Sequence, residues 1–260
     1  MEKYFDVNAD KVSIRCKIYA NDTRNINHVV LSSHGFGGNK DNNASKKLAE
    51  DLLSRYDDVA VITFDWPCHG NDVRKKLDLT DCDTYLTTML NYVKNVMGVE
   101  DIYSQATSFG GYLVLKYISE HGNPFTKVAL RCPAVNMYNA MVERILTKEQ
   151  LMDLARRKDV DSGFERKVRI TNDFLLQLKQ NNILERDFID FADDILIMHG
   201  TQDELIDFNV DKAFCENNVI EFIPIEGADH RYQNPARLRE CINYIGTFYK
   251  DDLEKKTKIV

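Results

Sequence analysis

The feature that most constrains this 260-residue chain is the segment at residues 102–112, which reads IYSQATSFGGY. Its first half has the character of a buried strand and its second half begins a helix, so the chain must turn sharply at Ser108. A turn this tight leaves no room for side chains two residues before and after its apex, where the sequence has Ala106 and Gly110. We call this segment the elbow. The alternative interpretation is an ordinary glycine-containing turn that caps a helix.

Strand and helix patterns alternate along most of the chain. Apolar residues recur at helical spacing over residues 44–56 and 86–97, and residues 12–18 alternate in a way that predicts antiparallel edge strands. Besides the elbow strand, short apolar runs predict buried strands at residues 29–33, 59–64, 127–131, 194–198 and 219–225. This order predicts an α/β fold with a mostly parallel sheet covered by helices on both faces.

The alternation is interrupted once, between residues 136 and 193, by a stretch with helical spacing and dense charge. A structureless loop of this length is unusual in a compact domain. We therefore predict a single domain over residues 1–260 with a helical cap inserted at about residues 137–185, whose last helix belongs to the main sheet. Acidic residues interleave with its basic clusters, which favours a solvated helix face over an anion site.

Composition and charge exclude several classes of protein. The formal charge of −7 is spread over the whole chain, which argues against a nucleic-acid or membrane partner. No apolar run approaches the roughly 18 residues of a membrane span, so we expect a cytoplasmic protein. The basic residues at 255–258 are expected to fray. The cysteines form no Cys-x-x-Cys pair, which favours reduced thiols: Cys16, Cys68, Cys82, Cys132, Cys215 and Cys241. Of these, Cys68 lies in a polar loop that could face a site.

Chemically active residues follow the predicted strands at their carboxyl ends, where ligands collect in an open parallel sheet. Among them a hydroxyl, a carboxylate and an imidazole appear in the chain order Ser108, Asp203, His230. A serine hydroxyl needs a base to take its proton, and the base needs a carboxylate to fix its tautomer. The sequence therefore supplies a nucleophile, a base and an acid at one edge of the sheet.

Other residues are weaker candidates for these roles. We prefer Asp203 as the acid over Glu204 and Asp207 because it follows both a strand and Gly200. Three further histidines stand at strand ends but precede the acid in the chain, and we expect them to order loops by hydrogen bonding: His34, His69 and His199.

These motifs, taken in order, resemble the α/β-hydrolase family over about residues 5–250. Within that family the chain is similar to small bacterial carboxylesterases of the feruloyl or cinnamoyl type, through His34-Gly35-Phe36 and the Asp-x-x-x-His-Gly segment at residues 65–70. Ala106 and Thr107 depart from the Gly-His pair that commonly precedes the serine. The resemblance implies an eight-stranded sheet and a triad of the three residues identified above.

The same resemblance implies an oxyanion hole made by the backbone N–H groups of Phe36 and Phe109. It implies a serine hydrolase, a carboxylesterase that cleaves small apolar or aromatic acyl esters through an acyl-enzyme, with no metal or organic cofactor. The substrate pocket is expected to include His34, Trp66, Tyr138 and Met141. The expected partner is a small-molecule ester, and the resemblance allows a homodimer.

Alternatives to ester hydrolysis stay open at this point. A thioesterase, acyltransferase, amidase or carbon–carbon bond hydrolase would use the same triad and oxyanion hole. A non-catalytic binding protein on this fold is the remaining alternative.

Overall fold

The computed structural model describes residues 1–10, 12–163 and 166–255. Eight strands of this described chain form one sheet, and two short strands form a separate hairpin. In chain order the strands are β1 (Glu2–Ala9), β2 (Val12–Ala20), β3 (His28–Ser33), β4 (Val59–Phe64), β5 (Asp101–Thr107), β6 (Lys127–Arg131), β7 (Val160–Ser162), β8 (Val168–Ile170), β9 (Ile195–Gly200) and β10 (Glu221–Ile225).

The strand order in the large sheet is β1-β2-β4-β3-β5-β6-β9-β10. Every pair from β4 to β10 is parallel, which confirms the predicted mostly parallel, eight-stranded sheet. The predicted antiparallel strands at the sheet edge are also confirmed. Strand β1 pairs antiparallel with β2, and β2 pairs antiparallel with β4.

Helices cover both faces of the sheet. They are α1 (Asn43–Arg55), α2 (Leu79–Asn91), α3 (Phe109–His121), α4 (Met137–Ala140), α5 (Lys148–Ala155), α6 (Asn172–Gln180), α7 (Phe208–Asn218) and α8 (Pro235–Lys255). Buried residues of α1 and α8 pack in one apolar cluster and those of α2, α3, α6 and α7 in another. Along β3, Val29 and Leu31 belong to the second cluster and Val30 to the first, since successive side chains of a strand point to opposite faces.

The segment between β6 and β9 contains α4, α5, the β7–β8 hairpin and α6. The hairpin differs from the predicted all-helical insertion, and its inward residues Val160, Val168 and Ile170 are buried in the core. Helix α6 docks on α2, where the Gln177 side chain accepts from Leu79 N and donates to Asp78. Residues 256–258 of the basic tail and Glu165 of one basic cluster lie outside the described residues. None of the described helices combines the length and apolarity needed to cross a bilayer.

Candidate active site

The elbow places Ser108 between the last residue of β5 and the first residue of α3. Its backbone angles, φ 54° and ψ −118°, lie in a region that costs a non-glycine residue about 1–3 kcal/mol. Surrounding hydrogen bonds hold it there: Ser108 N donates to Arg131 O at 3.0 Å, and Ser108 O accepts from Tyr112 N at 3.0 Å. A Cβ atom added at Gly110 would lie 2.6 Å from the carbonyl oxygen of His34, so packing against the β3 loop explains the small residue required after the serine.

Ser108, His230 and Asp203 form a continuous chain of contacts. His230 Nε2 lies 3.1 Å from Ser108 Oγ, and His230 Nδ1 lies 2.7 Å from Asp203 Oδ2. The other carboxylate oxygen of Asp203 accepts from the backbone N–H groups of Leu205 and Ile206, both at 2.8 Å. These bonds fix the carboxylate so that Nδ1 of His230 carries the proton and Nε2 is free to accept one from the serine.

Two backbone N–H groups beside Ser108 have no acceptor in the described part of the chain, those of Phe36 and Phe109. Phe36 stands in the loop after β3, and Phe109 is the first residue of α3. The loop lies directly against the serine, because a Cβ atom added at Gly35 would be 3.0 Å from Ser108 Cβ. The two residues expected to form the oxyanion hole are thus adjacent to the serine with their donors unused.

His34 and Trp66 stabilise the loop that carries Phe36. His34 Nδ1 lies 2.8 Å from Gly35 O, His34 Nε2 accepts from Trp66 N at 3.3 Å, and the Trp66 indole donates to His34 O at 3.2 Å. Burial lowers the pKa of His34 to about 4, so the ring is neutral at physiological pH. With Nε2 as acceptor, Nδ1 carries the proton and donates. His34 therefore orders the loop, which was the role expected for the histidines before the acid.

The Asp65–Gly70 segment ties the β4 loop to the β3 loop. The carboxylate of Asp65 is fully buried and accepts from Lys40 N at 2.7 Å and Asn71 N at 2.8 Å, with Lys40 Nζ 3.3 Å away. His69 is also fully buried, and burial lowers its pKa to about 3. These buried contacts stabilise the two loops that border the site.

A second histidine–carboxylate pair, which the sequence patterns did not predict, extends the chain of contacts beyond Asp203. His199 Nδ1 lies 2.9 Å from Asp211 Oδ2, and His199 Nε2 lies 3.2 Å from Asp203 Oδ2 without the alignment of a hydrogen bond. All three side chains are fully buried. His199 lies at the end of β9, Asp203 in the loop after it and Asp211 in α7, so their spacing could have suggested that they lie close together. Carboxylates at such positions often face solvent, however, so the spacing alone does not predict a buried pair.

The charges of this buried group depend on one another. Burial alone would lower the pKa of His199, but Asp203 and Asp211 raise it to about 9. Burial raises the pKa of Asp203 and is outweighed by His199 and His230, which hold it well below its usual range. Burial raises the pKa of Asp211 to about 6 despite its bond to His199. At neutral pH the imidazolium of His199 therefore lies between two carboxylates.

A cavity of about 770 Å³ opens beside the serine. Ser108, His230 and Phe36 line it together with residues of α1 and α8, and Ile145 lines it from the segment between β6 and β9. Of the four residues expected in the substrate pocket, only His34 is on the described wall of this cavity.

The other three expected pocket residues are placed elsewhere. Trp66 is fully buried against Phe64, with ring centroids 4.7 Å apart, and Met141 is fully buried in the core. Tyr138 is half-buried beside Lys179. The expectation failed for these side chains because apolar residues near a strand end pack equally well into the core.

One group of possible metal ligands overlaps the site. Ligand atoms of Cys132, Asp203 and His230 lie within 4.8 Å of one another. His230 and Asp203 already bond to each other through Nδ1 and Oδ2, and burial raises the pKa of Cys132 well above its ordinary value, which disfavours the thiolate that binds metals. The pairing of His230 with Asp203 and the protonated thiol of Cys132 therefore disfavour a metal centre here.

Comparison with known proteins identifies the fold family. The structure resembles Est1E from Butyrivibrio proteoclasticus with a TM-score of 0.76 and 18% identity, covering 96% of this chain and 100% of that chain. It also resembles the esterase Pf2001 from Pyrococcus furiosus, with a TM-score of 0.69, 15% identity and coverage of 96% and 92%. A third similar structure is mouse alpha/beta hydrolase domain-containing protein 10, with a TM-score of 0.69, 15% identity and coverage of 96% and 99%.

At these identities structural likeness shows the fold alone, and a search of curated proteins gave no match. The sequence itself matches the model of the alpha/beta hydrolase fold family over residues 28–161, just over half of the chain. This protein belongs to the α/β-hydrolase fold family.

Proposed function

We propose that this protein is a serine hydrolase, a carboxylesterase that cleaves small apolar or aromatic acyl esters through an acyl-enzyme. The observation that carries the proposal is the contact of His230 with both Ser108 Oγ and Asp203 Oδ2, beside two unused backbone donors. The comparisons are compatible with it: one similar structure is described as an esterase, and another, Est1E, is described with ferulic acid bound.

The proposed reaction begins with attack of Ser108 Oγ on the ester carbonyl carbon while His230 Nε2 takes the serine proton. The carbonyl oxygen becomes an oxyanion that accepts hydrogen bonds from the N–H groups of Phe36 and Phe109. When the tetrahedral intermediate collapses, the bond to the alcohol oxygen breaks and His230 gives its proton to that oxygen. Ser108 is left carrying the acyl group.

Water then hydrolyses the acyl-enzyme by the same kind of steps, with water as the nucleophile and Ser108 as the leaving group. His230 takes a proton from the water, the hydroxide oxygen bonds to the acyl carbon, and the second tetrahedral intermediate releases a carboxylic acid and restores the serine hydroxyl. Asp203 stabilises the imidazolium of His230 during both acylation and deacylation. The fixed carboxylate and preset oxyanion donors need no rearrangement during the reaction, which is the source of their catalytic effect.

The test is a series of 4-nitrophenyl esters from acetate to long acyl chains, assayed with the wild type and with Ser108→Ala. We expect hydrolysis by the wild type, a loss of about 10⁴-fold or more in the variant, and labelling of the wild type alone by a fluorophosphonate probe. Circular dichroism of both proteins controls for folding. Activity that survives in the variant would exclude Ser108 as the nucleophile.

The same assay distinguishes the alternatives. Matched ester, thioester and amide substrates with one acyl group separate an esterase from a thioesterase or amidase, and added alcohols reveal acyl transfer. A folded wild type that is inert towards all of them and unlabelled by the fluorophosphonate would support a binding protein instead.

A further inference from the structure

We propose that Arg131 binds a carboxylate of the substrate, so that the protein prefers esters that carry an acidic group over neutral esters of the same shape. The inference rests on the proposed function, because it assigns a substrate class to the same cavity. It concerns a residue that neither the triad nor the oxyanion hole uses.

Arg131 lies one strand away from the nucleophile. It is the last residue of β6 and pairs in register with Thr107 of β5, the residue before Ser108. Its own carbonyl accepts the backbone N–H of Ser108 at 3.0 Å, so the two backbones are fixed relative to each other. Thr107, Ser108 and Arg131 all line the same cavity, together with His230.

The guanidinium of Arg131 is buried without a protein counter-charge. The residue is only 8% exposed. Nε and Nη1 find no hydrogen-bond acceptor, and the side chain forms no ion pair with a carboxylate of the described chain. An unpaired buried cation is strongly disfavoured, because its lost hydration is not replaced. Arg131 forms part of the cavity wall, so an anionic group of a bound substrate could compensate for the lost hydration.

Tyr232 holds the guanidinium in place from one side. The ring centroid of Tyr232 lies 4.9 Å from Cζ of Arg131, a cation–π contact. This tyrosine follows His230 by two residues and has φ 53°, which is unfavourable for a side chain of its size. The loop that carries His230 thus also carries Tyr232, which contacts the guanidinium of Arg131 without adding a negative charge.

A carboxylate fits this environment better than other ligand groups. Nε and Nη1 are closed to solvent, so a carboxylate in the cavity would meet the guanidinium at Nη2, in a charge-assisted hydrogen bond. The other cations on the cavity wall are less suited: Lys47 pairs with Glu50 at 2.6 Å, and Arg231 and Arg239 are both exposed. Arg131 combines burial, the lack of a counter-charge and a place on the cavity wall beside Ser108.

Two matched pairs of substrates test the proposal. The first pair carries the acid on the acyl side: mono-4-nitrophenyl adipate and its methyl ester. The second carries it on the alcohol side: 4-butyryloxybenzoate and its methyl ester. We expect the wild type to favour the acid by about 10- to 100-fold in kcat/KM in at least one pair, because hydrogen bonds between charged groups are among the stronger ones. Equal rates for acid and neutral ester in both pairs would overturn the proposal without any variant.

Arg131→Met should remove the preference while the neutral esters keep kcat/KM within about 3-fold, which also shows that the variant folds. Arg131→Gln serves in its place if the Met variant does not fold. Arg239→Met removes an exposed cation from the same cavity and should leave the preference unchanged. A preference that survives in the folded neutral variants, or that Arg239→Met reduces equally, contradicts the assignment to Arg131.

Failure of this inference is distinguishable from failure of the proposed function. A wild type that hydrolyses neutral esters without favouring acids retains the esterase function and loses only the carboxylate site. A folded wild type that hydrolyses none of the four substrates defeats the proposed function itself.

Discussion

His199 Nε2 lies 3.2 Å from Oδ2 of Asp203, the same carboxylate oxygen that accepts the hydrogen bond from His230. Asp203 therefore lies between two imidazole rings, and Asp211 bonds the far side of His199 at 2.9 Å. Since an isolated buried carboxylate is strongly disfavoured, the positive charge of His199 helps to keep Asp203 ionised inside the protein. The arrangement makes the acid of the proposed triad part of a larger buried charge network.

Stability should fall as the pH rises from 6.5 to about 9. Asp203 and Asp211, acting against burial, raise the pKa of His199 to about 9 from an ordinary value of 6.5. In this window the folded protein keeps a proton that the unfolded chain has lost, so stabilisation of on the order of 3 kcal/mol is present below pH 6.5 and disappears above about 9. Urea unfolding at a series of pH values measures this slope.

His199→Gln should flatten that part of the stability profile. His121→Gln, a substitution at an exposed histidine that contacts Asp83, is the matched control and should keep the wild-type slope. Parallel profiles for the wild type and His199→Gln would show that His199 does not hold the extra proton.

Asp203→Asn should lower kcat by roughly 10³- to 10⁴-fold with a smaller change in KM. An amide at this position favours the wrong tautomer of His230 and does not stabilise its imidazolium. Steady-state hydrolysis of a short 4-nitrophenyl ester measures the loss. Glu204→Gln is the control, because Glu204 is an exposed neighbour whose oxygen accepts from His230 N at 3.3 Å and the amide keeps such an oxygen. A larger loss from Glu204→Gln than from Asp203→Asn would reassign the acid.

Gly35→Ala should reduce kcat by about 10²-fold. The added methyl group would lie 3.0 Å from Ser108 Cβ and 3.5 Å from its Oγ, so the loop must move and carry the N–H of Phe36 with it. Gly98→Ala separates this effect from general destabilisation. Gly98 has φ 71° and open space around it, so the variant should lose about 1–2 kcal/mol of stability at unchanged kcat. Thermal melts and initial rates of both variants give the comparison, and full activity in Gly35→Ala would argue against an oxyanion role for this loop.

The native protein should resist thiol reagents. All six cysteines are buried, and burial raises the pKa of Cys68 and Cys241 to about 12, which suppresses the reactive thiolate. Titration with DTNB at about pH 8 should detect less than one thiol in the folded protein and all six in guanidinium chloride. Ester hydrolysis should survive iodoacetamide treatment. Rapid labelling of Cys68 with loss of activity would instead support the alternative that the loop of Cys68 faces the site.

Local patterns were enough to predict most strands and helices. The β-branched run predicts that β3 is buried on both faces, and the helical spacing predicts that α1 is buried on one face. Both patterns can be recognised from residues that are close together in the sequence. The alternation in residues 12–18 predicted the antiparallel edge strands correctly, but it did not identify β4 as the partner of β2, because strand pairing depends on residues that are distant in the chain. The β7–β8 hairpin was missed because strands of three residues carry too little periodicity.

The sequence by itself determined where the reactive groups lie along the chain: the small residues around Ser108, the acid after one strand and the histidine after another. Those positions follow from local backbone geometry and from the rule that strand ends gather at one edge. Only the tertiary structure decided which side chains meet, because this depends on strand pairing and on which face of the sheet each residue occupies. It placed His199 under Asp203, buried Trp66 and Met141 away from the cavity, and placed Arg131 beside Tyr232 on the cavity wall.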